Sequence, residues 1–105
     1  MAQKITLNQD SDVAELTRLI CDIESVSGNE TALADAIEEA LRQHSHLTVT
    51  RNADAIVATT NLDRASRIII AGHIDTVPVA NNLPTEFRDI NGERHLWGRG
   101  TVDMK

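Results

Sequence analysis

His73 and Asp75, two residues apart behind the apolar run Ile68-Ile69-Ile70, and Asp103, which follows a Gly98-Arg99-Gly100 bend, are the residues whose types and spacing could do chemistry. In extended backbone, side chains alternate between faces, so positions 73 and 75 share a side. A carboxylate placed there can hold one imidazole nitrogen, fixing the tautomer and leaving the other nitrogen for a metal ion. Asp103 adds a second metal-seeking group, with two oxygens that could bridge a pair of cations. Two divalent ions ~3.5–4 Å apart lower the pKa of a shared water and polarise a carbonyl. Mixed imidazole and carboxylate ligation suits zinc. Spacing alone leaves another reading open. His-x-Asp is also the pattern of a surface hydrogen-bonded pair, and Gly-x-Gly before an Asp is also that of a turn.

Other polar residues read as structural. Ser27 with Glu30 forms the S-x-x-E pattern of a capping box, a helix start rather than a catalytic serine. His44 and His46 fall at a helix end, where solvent and the helix dipole account for them. His95 reads as a cross-strand residue and Cys21 as a small buried hydrophobe.

The elements that would position these groups follow from apolar periodicity. Val13, Leu16, Leu19, Ile20 and Ile23 recur at helical spacing, predicting a helix from about Asp12 to Ile23 with Asp10, Ser11 and Asp12 as cap candidates. A second helix is expected from about Gly28 to His44, with Leu33, Ile37, Ala40 and Leu41 on one face. Leu47 to Arg51 and Ala55 to Thr59 alternate as strands about an Asn52-Ala53-Asp54 turn. Ser66 to Ala71 carries the densest β-branched run, as expected of a strand buried on both faces. Its carboxyl end leads to His73, where open α/β sheets place their ligands. Phe87 to Trp97 suggests a hairpin about Asn91-Gly92. The fold class expected is therefore α/β, two helices followed by strands of a mixed sheet.

Composition narrows the function classes. The 105 residues carry 16 acids against 10 bases, a formal charge of −6 with no basic cluster, which disfavours nucleic acid and anionic membranes as partners. The single cysteine excludes an internal disulfide and suits a reducing cytosol. Nothing in Met1 to Asp10 has the apolar stretch of a signal peptide. No apolar run approaches the ~20 residues of a membrane span, so the expectation is a cytoplasmic protein.

Ala71-Gly-His-Ile-Asp-Thr-Val-Pro78, read with Gly98-Arg-Gly-Thr-Val-Asp-Met-Lys105, resembles the signature of the co-catalytic zinc metallopeptidases of the aminoacylase and carboxypeptidase type. Ser25-Val-Ser-Gly-Asn-Glu30 resembles that family's opening loop, with Glu24 where the family often has proline. The resemblance implies that His73 binds one metal, that Asp103 bridges two, and that Asp75 is the catalytic-site residue orienting His73. It implies two Zn²⁺ as cofactors, with Co²⁺ as an alternative, and a metal-dependent amidohydrolase. Residues 1–105 would be the N-terminal portion of the catalytic domain. The lid domain, through which full-length members form homodimers, would be absent. So would the general-base Glu and the remaining ligands, leaving the chain alone inactive. Arg51-Asn52, Ser66-Arg67 and Val77-Pro-Val-Ala-Asn-Asn-Leu-Pro84 further imply a small-molecule substrate, an N-succinylated diamino acid. Rivals within the family are an acetylornithine deacetylase and a dipeptidase. A rival of another class is a non-catalytic α/β binding module.

Overall fold

Asp12 starts the first helix. In the computed structural model, which describes residues 6–103, its carboxylate accepts the Glu15 amide at 2.8 Å, capping α1 (Val13–Asp22) as the acidic stretch at residues 10–12 predicts. The second helix, α2 (Thr31–Arg42), is shorter at both ends than the Gly28–His44 expectation. The predicted capping box does not form. Glu30 turns back to accept the Gly28 amide at 2.7 Å, while the Ser27 hydroxyl is engaged elsewhere, so the helix begins without a side-chain cap.

The two helices and the segments beside them share one aliphatic core. Leu7, Ile23, Leu33, Ala36 and Ala40 are buried, and Leu16, Leu19, Ile20, Ile37 and Ile74 pack against them. Cys21 is fully buried, as its place on α1 suggests, whereas Val13 points to solvent.

Beyond the helices the chain forms two separate antiparallel hairpins. β1 (Leu47–Asn52) pairs with β2 (Ala55–Thr60), and β3 (Glu86–Ile90) with β4 (Glu93–Trp97). Asn91 and Gly92 both adopt positive φ, 52° and 83°, as the turn read from their identities requires. Arg51 ties the first hairpin to α2: its guanidinium meets Asp35 at 2.6 Å and Glu38 at 2.9 Å, and also Asp54 at 3.2 Å. These carboxylates hold the Arg51 pKa above its ordinary value, the Asp35 contact foremost.

The α/β expectation holds in its coarse form, but the mixed sheet does not. The Ser66–Ala71 segment forms no strand, and Ile68, Ile69 and Ile70 are 90%, 80% and 94% exposed rather than buried on two faces. The physical reason is pairing. A buried strand needs a neighbour for its backbone amides and carbonyls, and among the described residues none runs alongside this one. No helix among the described residues is long and apolar enough to cross a membrane.

Candidate active site

His73, Asp75 and Asp103 meet at the surface. Ile74 packs on the helical core, and Thr76 beyond it joins Val26 in a parallel bridge. Alternation then sends its neighbours His73 and Asp75 outward together, leaving their side chains 43% and 44% exposed. The segment is held by the loop between the helices. Thr76 donates its amide to Ser25 at 2.9 Å and accepts the Ser27 amide at 3.0 Å, a parallel bridge centred on Val26 and Thr76. The buried Ser25 hydroxyl adds a bond to the Ile74 carbonyl at 2.6 Å.

Asp103 arrives on a separate strut. The amide and hydroxyl of Thr85 donate to Asp22 at the end of α1, at 2.6 and 2.7 Å. Gly98 then lies against Thr85, where an added Cβ would sit 2.5 Å from the Thr85 methyl. Arg99 donates its amide to the Asn82 carbonyl at 3.0 Å, and a turn stitched by Thr101 to Gly98 and by Asp103 to Gly100 follows. This chain of contacts anchors the bend that presents Asp103 to α1.

At the junction, His73 Nε2 lies 3.1 Å from Asp103 Oδ1, and His73 Nδ1 lies 3.2 Å from both the carboxylate and the backbone carbonyl of Asp75. Two oxygen acceptors on opposite ring nitrogens favour the doubly protonated imidazolium. The His73 pKa is raised accordingly, first by the Asp103 hydrogen bond, with burial opposing. Asp75 is pushed below the ordinary carboxylate value, chiefly by a hydrogen bond from Ser27.

A raised histidine pKa contributes stability that is fully present below the ordinary value of 6.5 and lost as pH rises through the raised one. In the metal-free chain, a proton NMR titration should therefore find His73 above 6.5, and Asp103→Asn should bring it back down. An unchanged His73 titration in that variant would contradict the contact. Metal competes with this proton, so affinity should climb with pH across the same interval.

The junction fits half of a metal site. Two ligands ~2.0–2.1 Å from one tetrahedral ion lie ~3.3 Å apart. His73 Nε2 and Asp103 Oδ1 are already near that separation, at 3.1 Å. Asp75 on the remote nitrogen is the partner that a metal-bound imidazole requires. Two donors do not fill a coordination sphere, and among the described residues no group of three or more His, Cys, Asp or Glu side chains gathers to hold an ion.

The hydrogen bond of Ser27 to Asp75 has no sequence signal, because its partners are 48 residues apart and S-x-x-E pointed to a local role. The Asp22–Thr85 strut, 63 residues apart, is equally silent. His44 sits by Gln9 and edge-on to His46, away from the junction, and His95 faces Arg88 across the second hairpin, as their structural readings anticipate. Met1–Ile5, at the start of the stretch read as lacking a leader, and Met104 and Lys105, which end the second motif, lie outside the described residues.

No protein-family model matches the chain. Whole-chain similarity is nevertheless clear. The sequence is 47% identical over 100 residues to a Mycobacterium tuberculosis protein provisionally named succinyl-diaminopimelate desuccinylase DapE, covering 94% of this chain and 27% of that protein. It is 46% identical over 96 residues to the Corynebacterium glutamicum succinyl-diaminopimelate desuccinylase, covering 90% of this chain and 25% of that one. A Blastomyces gilchristii protein provisionally named a carboxypeptidase is 33% identical over 117 residues, covering 94% of this chain and 27% of its own length. The chain thus spans about a quarter of the length of these curated relatives. At 46–47% identity across nine-tenths or more of its residues, it is a relative of proteins curated as succinyl-diaminopimelate desuccinylases.

Proposed function

We propose that this chain is the ligand-bearing N-terminal portion of a cytoplasmic di-zinc amidohydrolase. The full-length enzyme would be a homodimer that splits N-succinyl-LL-2,6-diaminopimelate into succinate and LL-2,6-diaminopimelate, a step in diaminopimelate and lysine synthesis. The observation that carries the reading is the His73–Asp103 contact with Asp75 on the opposite ring nitrogen. The identity to the bacterial desuccinylases supports the substrate. The remaining ligands, the general base and the lid belong to the roughly three quarters of such an enzyme that this chain does not span, and the chain alone is inactive.

When bound, the divalent ions, zinc or cobalt, supply an acidified water and a polarised amide carbonyl. The residues here hold and orient. Asp75 keeps the His73 proton on Nδ1, so that Nε2 offers its lone pair. Asp103 offers two carboxylate oxygens at the end of a braced turn. Ile74, seated on the helical core, keeps the two neighbouring side chains on the same outward face.

The fungal relatives named as carboxypeptidases favour a second reading, cleavage of a peptide-like amide, at lower identity. Both readings share the junction. The specific one is checked by comparing kcat/KM of the full-length enzyme on N-succinyl-LL-diaminopimelate and on N-acetylornithine. The succinylated substrate should win. A preference for the acetylated one would overturn the named substrate while leaving the amidohydrolase class in place.

A further inference from the structure

We infer that Ser27 is a positioning residue for the His73–Asp75 pair, acting on the chemistry through Asp75 and not on substrate; its kinetic consequence rests on the hydrolase reading above. The Ser27 hydroxyl donates to Asp75 Oδ2 at 2.5 Å, while Asp75 Oδ1 lies 3.2 Å from His73 Nδ1. The two oxygens are divided, one to a hydroxyl and one to an imidazole. An exposed carboxylate with no second partner would rotate about its terminal torsion and share both oxygens with water. The hydroxyl removes that freedom and leaves Oδ1 aimed at the ring.

Ser27 is itself held in place. The 25–27 segment lies parallel to residues 74–76 through two backbone hydrogen bonds, with Ser25 buried and Ser27 at the surface. Ser25 is 0% exposed and bonded to the Ile74 carbonyl, so the segment cannot slide without exposing it. The loop between α1 and α2 thereby reaches a side chain 48 residues away and fixes its orientation.

The consequence concerns one proton. A neutral His73 carries a single N–H and faces acceptors at both nitrogens: Asp103 at Nε2, and the carboxylate and carbonyl of Asp75 at Nδ1. Only the Nδ1–H tautomer leaves Nε2 able to bind an ion. A pinned Asp75 carboxylate favours that tautomer. A released one surrenders part of the preference to Asp103, with the Asp75 carbonyl retaining the rest.

The test is the tautomer ratio of neutral His73, read from the ¹⁵N shifts of its ring nitrogens in the 105-residue chain without metal. Ser27→Ala should move the ratio several-fold toward Nε2–H, and Ser27→Thr, which keeps the hydroxyl, should restore it. In the full-length enzyme, Ser27→Ala should lower kcat by ~10-fold with little change in KM, the low end for an outer partner of a metal ligand. An unmoved ratio in Ser27→Ala, or a Thr variant shifted as far as Ala, would overturn the inference. An inactive parent enzyme with the tautomer shift intact would sink the hydrolase reading and leave this role standing.

Discussion

Alanine at Asp103 is expected to abolish hydrolysis by the full-length enzyme and to strip it of bound metal. The reason is that Asp103 faces His73 Nε2 at 3.1 Å, near the spacing of two ligands on one ion, and carries the second oxygen needed to bridge a pair. Asp75→Ala should behave differently. Asp75 touches the remote nitrogen, so its loss leaves both direct donors and should reduce activity or affinity by ~10–100-fold. Metal content and kcat measured side by side on the two purified variants separate the roles. Parent turnover in Asp103→Ala, or equal metal loss in both, would contradict the division.

Alanine at Gly98 should be nearly as damaging, although this residue bears no chemistry. Its φ of +151° lies where L side chains rarely go, and a Cβ there would meet the Thr85 methyl at 2.5 Å and the Asn82 carbonyl at 3.1 Å. Thr85 cannot readily yield, because Asp22 grips both its amide and its hydroxyl. The glycine must therefore move, and the turn that carries Asp103 moves with it. Backbone strain contributes about 1–3 kcal/mol and the forced contact another ~1–3 kcal/mol. A lower denaturation midpoint together with weaker metal binding is expected. A Gly98→Ala enzyme with parental stability and parental metal affinity would show that the turn has slack.

These effects also show what the residues disclose when read in order. Both helices and both hairpins are legible because local spacing determines them: Asp12 caps, the apolar period holds, and Asn91-Gly92 makes the turn. The outward pairing of His73 and Asp75 is legible from strand alternation alone. Ser66–Ala71 is not, since three isoleucines announce an apolar strand without saying where its partners are, and none pairs with it among the described residues. Ser27 is misread for the converse reason. A pattern that fits a local cap gives no sign that its hydroxyl is claimed by a carboxylate far along the chain.

Metal-dependent cleavage of a succinyl amide at this junction is the activity proposed for the full-length enzyme. Its most direct measurement is succinate released from N-succinyl-LL-2,6-diaminopimelate by the purified full-length enzyme, before and after chelation and again after zinc is returned. Release by the loaded enzyme, loss on chelation and recovery with zinc are expected. Undiminished release by enzyme shown to be free of metal, or no release by enzyme shown to be loaded with two ions, would contradict it.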